Sequence, residues 1–517
     1  MPHSAAKRQI FRVGAIAQGK RPAAKTPREE ETDMTQYDAR NISMMMDLYE
    51  MTMAHGYFKE DKVGDFATFD VFYRRNPDGG GFAIFAGLEQ VLEYLENLHF
   101  DEHDIEYLRS LRIYDEDFLR WLSGYRFHGD VIAMPEGSIM YPDEPIMTVN
   151  APLIDAQLVE TAILTQINHQ SLVATKTQRI VRAAQGRSVA DFGARRAHNI
   201  DAAVYGARAA YIGGADSTAT VLAGQMFGIP VSGTMAHSWV MYHDDEYTAF
   251  RRFAELYPDN AVLLVDTYNV LDSGVPNAIR TANEVLIPIG KRLKGIRIDS
   301  GDLAYLSKEA RRMLDEAGLT DCKIVASNSL DEFTIRSILD QGGCIDSFGV
   351  GERLITAKSD PVFGAVYKLV AVHEGQACRP TIKISETFEK ITNPGRKQLW
   401  RVYDSDGWAI ADLITKEDES PDFIGAYAFV DPQKPWKRHV FSNHTIRGLR
   451  ELVMKNGKRL RPAPQLKDIR SFVKRQLDTE VWPEEQRFEN PHHHYLDMSP
   501  AYYKMKMALL KEAQQQG

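Results

Sequence analysis

The chain has 517 residues, 44% of them apolar and 26% charged, with a net charge of −9 at neutral pH. It is too long for one ordinary core, and an acidic chain with no basic block in its body argues against a nucleic-acid surface. No apolar run reaches the roughly 18 residues of a membrane span, and Cys322, Cys344 and Cys378 are too scattered for a disulfide framework or a zinc ribbon, so a soluble, cytoplasmic protein is expected.

Residues 1–33 differ in character from the rest of the chain. Lys7, Arg8, Arg12, Lys20, Arg21, Lys25 and Arg28 precede the first acid, Glu29. A basic, acid-poor start is the pattern of a targeting peptide. No convincing amphipathic helix can be drawn there, which favours a disordered leader ahead of a natural start at Met34. Beyond it, Met44-Met45-Met46 with Met51 and Met53 reads as helix core rather than a special surface.

From about Gly186 to Ser347 short β-branched runs recur, each followed by helix-forming sequence. They are Ser188–Phe192, Ile229–Ser232, Ala261–Val265, Gly295–Ile298, Lys323–Ala326 and Cys344–Phe348, with helices predicted at Leu303–Ala317 and Asp331–Gln341. Strands alternating with helices imply βαβ units around a parallel sheet, and this many units suggests closure into a barrel. The active site then belongs where strands end and βα loops begin.

The strand ends are polar. In order they offer Asp191, Gly193, Arg195, Arg196 and His198; Gly233, Thr234 and His237; Asp266 and Tyr268; Arg297, Asp299 and Asp302; Ser327 and Asn328; and Gly349, Gly351, Glu352 and Arg353. Any one of these has a plain explanation as a cap or turn; Asp302 is well placed to cap Leu303–Ala317, and Arg297 to pair with Asp299. Gathered at one pole, they supply cations for phosphate, carboxylates for a divalent metal and a histidine. Arg195-Arg196 asks for an anion between its charges, and Gly349-Val350-Gly351 lets backbone N–H groups approach one. His237 is the candidate reactive group, with Asp266 expected to hold one ring nitrogen and leave the other nucleophilic. At the far end, His492-His493-His494 invites a metal reading. Adjacent histidines on extended chain point alternately, however, and no carboxylate or cysteine lies at ligand spacing, so a structural role is expected.

Asp191–Arg196, Gly233–Ser238, Arg297–Leu303 and Phe348–Gly351 with Val366–Val370 together resemble the nicotinate phosphoribosyltransferase family. So do Asp47-Leu48-Tyr49 with Thr52-Met53, and the Phe69–Glu89 region containing Gly79-Gly80-Gly81. These segments run in order over roughly residues 34–510. The resemblance implies an irregular TIM-like α/β barrel (156–375) plus an α/β-sandwich domain built from 34–155 and the returning 376–517. It also implies a homodimer with shared active sites, and transfer of phosphoribosyl from 5-phosphoribosyl 1-diphosphate to nicotinate, coupled to ATP hydrolysis. On that basis Tyr49 and Phe192 would sandwich the pyridine ring, while Arg297 and Thr234 would sit near its carboxylate and the ribosyl donor. Asp299 and Asp266 would serve Mg²⁺ and the ribose hydroxyls, Gly349 and Gly351 would hold the 5-phosphate, and His237 would be phosphorylated by ATP. Ala219 in Thr218-Ala219-Thr220-Val221 stands where amide-using relatives carry an aspartate, which favours the acid. Glu352 departs from a threonine found in some members and is left out of the phosphate site. Two other classes stay open: a phosphate-binding barrel isomerase or aldolase using Lys176 or Lys358 as a catalytic amine, and a non-catalytic nucleotide sensor.

Overall fold

A computed structural model of the chain describes residues 40–375, 377–384, 391–421, 427–432, 436–441 and 444–516. The expected leader at 1–33 lies outside them. In chain order the strands are β1 (Phe66–Phe72), β2 (Ala83–Ile84), β3 (Asp130–Ala133), β4 (Ile139–Met140), β5 (Met147–Pro152), β6 (Ser188–Asp191), β7 (Ser217–Thr218), β8 (Val262–Leu264), β9 (Gly295–Ile298), β10 (Lys323–Ser327), β11 (Ser347–Val350), β12 (Val366–Glu374), β13 (Ala377–Pro380), β14 (Lys397–Tyr403), β15 (Ala409–Lys416), β16 (Tyr427–Val430), β17 (Arg438–Phe441), β18 (Thr445–Gly448), β19 (Glu451–Lys455), β20 (Lys458–Arg459) and β21 (Leu496–Met498).

The middle of the chain forms a parallel sheet in the order β7-β6-β11-β10-β9-β8. Ile296, Ile298, Ile324 and Phe348 are fully buried, as expected of parallel strands covered on both faces. The helices after β9 and β10 run Leu303–Glu316 and Glu332–Asp340. Asp302 and Asp331 cap them, accepting from Tyr305 N at 3.0 Å and Thr334 N at 2.8 Å. Asp302 is therefore a cap.

One expected strand is absent. Ile229–Ser232 contributes a single bridge, Val231 to Thr218, and the strand at that place is Ser217–Thr218. Pro230 has no N–H to give a ladder, so only its carbonyl takes part, accepting from Thr218 N at 3.0 Å. The sheet thus ends in strands of two and three residues, β7 and β8, which do not pair with each other. Among the described residues this is an open parallel sheet in a mixed α/β fold, and no closed barrel is formed.

A seven-stranded sheet, β13-β12-β1-β5-β3-β19-β20, interleaves the N-terminal and C-terminal thirds. Its β12 precedes the expected boundary at 375, yet it pairs antiparallel with β1, from Phe66 opposite His373 to Phe72 opposite Val366. Asp70 of β1, almost fully buried, accepts from Thr148 Oγ1 at 2.6 Å and from Lys397 Nζ, tying the first third of the chain to the last. A third sheet, β17-β16-β21-β15-β14-β18, comes wholly from the C-terminal segment.

The helix Glu160–Ala183 links the two large cores. Ala162, Ile163 and Ile167 pack with the seven-stranded sheet, and Val173, Ala174 and Ile180 pack beneath the parallel one. Such a helix is buried nearly all round, so its polar side chains need internal partners. Thr175 Oγ1 accepts from Ile84 N at 2.9 Å, and Ser171 Oγ accepts from Ala86 N at 3.0 Å.

Candidate active site

The end of β9 carries the densest polar contacts. Arg297 Nε donates to Ser327 Oγ at 2.8 Å, Nη1 to Thr234 Oγ1 at 3.2 Å and Nη2 to Asp299 Oδ1 at 2.9 Å. Its guanidinium carbon lies 5.3 Å from the centre of the Phe192 ring, within cation–π range. Three strand ends and the loop carrying Thr234 therefore meet around one arginine. Phe192 is held from behind: its N–H donates to Val350 O at 2.8 Å, and its ring lies against Gly349, where a Cβ would come within 2.5 Å of ring carbons. Glycine is needed at 349 for the ring to pack, whatever its backbone also binds.

Asp191 anchors the neighbouring loop. It is buried, accepts from Gly193 N at 2.8 Å and from Thr218 Oγ1 at 2.8 Å, and burial raises its carboxyl above the usual range. Ala219 follows Thr218 at the surface, its N–H bonded to Asp191 O at 2.8 Å. Arg195 and Arg196 lie exposed in the turn Ala194–Arg196. Glu352 is paired with Lys358 at 2.6 Å, and that lysine, with Arg196 contributing, holds its carboxyl below the usual range.

His237 opens the helix His237–Tyr242. The expected bond to Asp266 is not made. Instead His237 Nδ1 lies 3.1 Å from Thr267 Oγ1, and Nε2 is 3.8 Å from Asp299 Oδ2. Asp266 Oδ2 is taken by Ser300 Oγ at 2.6 Å, while Oδ1 is buried with no hydrogen-bond partner. The next residue along, Thr267, supplies the partner because the loop leaving β8 turns the carboxylate toward the loop after β9.

A divalent cation is testable against this donor set. Asp266 has an orphaned buried oxygen, and Asp299 keeps Oδ2 outside its bonds to Arg297 and Ser327. Among the described residues no group of three or more His, Cys, Asp or Glu side chains could hold a metal. Two carboxylates suit Mg²⁺ that keeps waters and is completed by substrate phosphates, not a dedicated protein cage.

Tyr49 is elsewhere in the chain. It lies on the helix Leu48–Lys59, part exposed; burial, then Glu160, raises its hydroxyl pKa, and it forms no ring contact with Phe192. Neither lysine of the aldolase reading has an apolar setting. Lys176 Nζ donates to Asp78 Oδ2 at 2.9 Å, Glu332 Oε1 at 2.9 Å and Ser359 Oγ at 2.7 Å, and Lys358 is exposed beside Glu352. Thr267 and Ser300 are contributors that sequence reasoning missed, and Ser327 stood among the strand-end residues without a role. Thr267 and Ser300 each directly follow a strand-end aspartate, the signal that would have found them.

Family models match along the chain in order: the nicotinate phosphoribosyltransferase N-terminal domain at residues 44–168, the nicotinate phosphoribosyltransferase family at 187–407 and its C-terminal domain at 396–506. A nicotinate phosphoribosyltransferase of Bacillus subtilis is 44% identical over 475 residues, 91% of this chain and 96% of that one. The chain belongs to the nicotinate phosphoribosyltransferase family. A Mycobacterium tuberculosis member is 42% identical over 439 residues, covering 84% of this chain and 87% of its own. The crystal structure of human nicotinic acid phosphoribosyltransferase superposes with a TM-score of 0.79 at 28% identity, covering 90% of this chain and 100% of that one. The mixed α/β architecture is thus that of the nicotinate phosphoribosyltransferases.

Proposed function

We propose that this chain joins nicotinate to 5-phosphoribosyl 1-diphosphate, giving nicotinate mononucleotide and diphosphate in NAD salvage, with ATP hydrolysed alongside. The observation that carries the reading is Arg297, braced on three sides and set over Phe192 beside two acidic strand ends. The nicotinate ring nitrogen attacks the anomeric carbon as the bond to diphosphate breaks, through an oxocarbenium-like state. No protein nucleophile is needed, so the protein contributes positioning and charge stabilisation. Phe192 stacks the pyridine, Arg297 with Thr234 takes its carboxylate, Arg195 and Arg196 face the anionic donor, and Gly349 and Gly351 line its 5-phosphate. Asp266 and Asp299 would hold Mg²⁺, which supplies charge neutralisation for the departing diphosphate. His237 accepts the γ-phosphoryl of ATP at Nε2, because Nδ1 is engaged by Thr267.

We infer a homodimer with shared sites. Met45, Leu48, Tyr49 and Met53 are exposed on or beside the Leu48–Lys59 helix, and Ile200, Val221, Met241, Tyr242 and Tyr268 are exposed on the helices and loops that follow the parallel strands. Two apolar faces of this kind favour association, and a second copy would bring its Tyr49 opposite Phe192. We further propose that the parallel sheet belongs to an irregular, unclosed barrel, and that the protein works in the cytoplasm; no helix among the described residues is long and apolar enough to cross a membrane. The test is a coupled assay with nicotinate, nicotinamide and quinolinate, each with the ribosyl donor and with or without ATP. Nicotinate should be used far better than nicotinamide, since a pocket with Arg297 and without a carboxylate at Ala219 leaves charged donors unpaired around the neutral amide. Comparable turnover of the two would overturn the assignment of the pocket.

A further inference from the structure

Ser327 ends β10 and is 2% exposed. Its hydroxyl oxygen accepts from Arg297 Nε at 2.8 Å, and its proton goes to Asp299 Oδ1. Asp299 Oδ1 also accepts from Arg297 Nη2 at 2.9 Å, so serine, arginine and aspartate close a three-membered ring of hydrogen bonds. A guanidinium has five N–H donors, one on Nε and two on each terminal nitrogen. Nε is spent on Ser327, one Nη2 hydrogen on Asp299 and one Nη1 hydrogen on Thr234. One N–H is left on Nη1 and one on Nη2, a fork able to meet the two oxygens of a carboxylate. The amide of nicotinamide offers one oxygen and an NH₂ that would face a donor. The backbone beyond Ser327 is itself held in a sparsely populated conformation: Asn328 and Ser329 have φ of 84° and 46°, left-handed values that non-glycine residues adopt at a cost.

We propose that Ser327 is a positioning residue that fixes Arg297 as a two-pronged carboxylate receptor and so sets the preference for the acid over the amide. The inference rests on nicotinate being the substrate. Without the hydroxyl, Nε loses its acceptor and Asp299 loses a donor, and the guanidinium can swing to meet Asp299 end-on. That consumes the fork, and a free arginine must also be ordered by each incoming substrate. The loss falls on the carboxylate-bearing substrate far more than on the amide, which gains little from the fork.

The experiment uses the full-length wild type with Ser327→Ala and Ser327→Thr. It measures kcat, the KM for nicotinate, and the Ki of nicotinamide against nicotinate turnover. From the loss of a hydrogen bond to a charged group, Ser327→Ala should raise the KM for nicotinate by about 10-fold or more and leave the Ki of nicotinamide within about 3-fold. Ser327→Thr, which keeps the hydroxyl, should hold the KM-to-Ki ratio near the wild-type value. If the alanine variant folds poorly, Ser327→Cys at the same volume carries the same readout. An unchanged ratio in the alanine or cysteine variant overturns the proposal, as does an equal loss for both ligands. A wild type that makes no nicotinate mononucleotide fails earlier and overturns the reaction on which the proposal stands.

Discussion

His494 and His237 both lie beside carboxylates, and they sit in opposite environments. His494 is fully buried, its ring stacked on Tyr141 with centroids 3.8 Å apart and planes 8° from parallel. Nδ1 lies 2.9 Å from Glu485 Oε1 and Nε2 3.3 Å from Asp412 Oδ1. Arg401 clamps that aspartate with bonds of 2.8 and 2.6 Å, and Tyr141 donates to Glu485 at 2.7 Å. His237 is half exposed, with one side-chain bond and one nitrogen free of any. Both places are charged, yet the His494 ring is buried with a carboxylate within ion-pair range of each nitrogen, while His237 keeps Nε2 open for a ligand. A charged cluster becomes a site where partners are missing, since an unpaired polar group is one that a ligand can satisfy.

The widest separation should come from His237→Ala. It should abolish ³²P transfer from γ-labelled ATP and the ATP-dependent gain in synthesis, leave slow ATP-independent transfer, and fold as the wild type. Label surviving undiminished in that variant would move the phosphate elsewhere. Asp412→Ala should do the reverse, costing about 3–5 kcal/mol of stability by chemical denaturation because it strands Arg401 and His494 without their partner. A loss under about 1 kcal/mol would mean the cluster is dispensable. A finer probe is Thr267→Val, which should slow labelling roughly 5-fold, the worth of one neutral hydrogen bond of about 1 kcal/mol orienting the ring. Asp266→Asn should leave that orientation intact, and a larger labelling defect there than in Thr267→Val would restore Asp266 as the partner.

The smallest effect is in pH. Burial alone would lower the pKa of His494, but Asp412 and Glu485 outweigh it and hold the ring above its ordinary 6.5. A group raised in the folded state contributes stability that is fully present below its unfolded pKa and is lost as pH climbs through the folded one. Unfolding free energy should therefore fall as pH rises above the ordinary histidine value of 6.5, and His494→Gln should flatten the slope. A slope identical in the two proteins would remove His494 from the account.

Legibility in the sequence tracks the range of the forces involved. Gly295–Ile298 and the helix after it carry local signals, β-branched residues and an N-cap, and both are where the pattern put them. The Ile229–Ser232 run has the right residue types, but Pro230 removes the donor on which a ladder depends. Partner choice within the site was poorly legible. Whether His237 meets Asp266 or Thr267 depends on how the loop leaves β8, and adjacent residues give the same sequence signal. Glu485 and Asp412 beside His494 could not be foreseen from spacing, because they arrive 9 and 82 residues away.

The pairing of β1 with β12 has a consequence for how the chain is made. Phe66 faces His373 and Ala133 faces Glu451, so β1 and β3, which pair early with β5, acquire their second neighbours only after some 300 further residues have been added. At about 5–20 residues per second, β1 leaves the ribosome tens of seconds before its partner. Through that interval Ala67, Phe69 and Val71, buried in the finished sheet, have one edge open to any other strand. The parallel sheet, whose pairings span shorter stretches, can form while the outer sheet waits. Assembly then proceeds from the middle of the chain outward, and a nascent-chain chaperone would bind most usefully over residues 66–72.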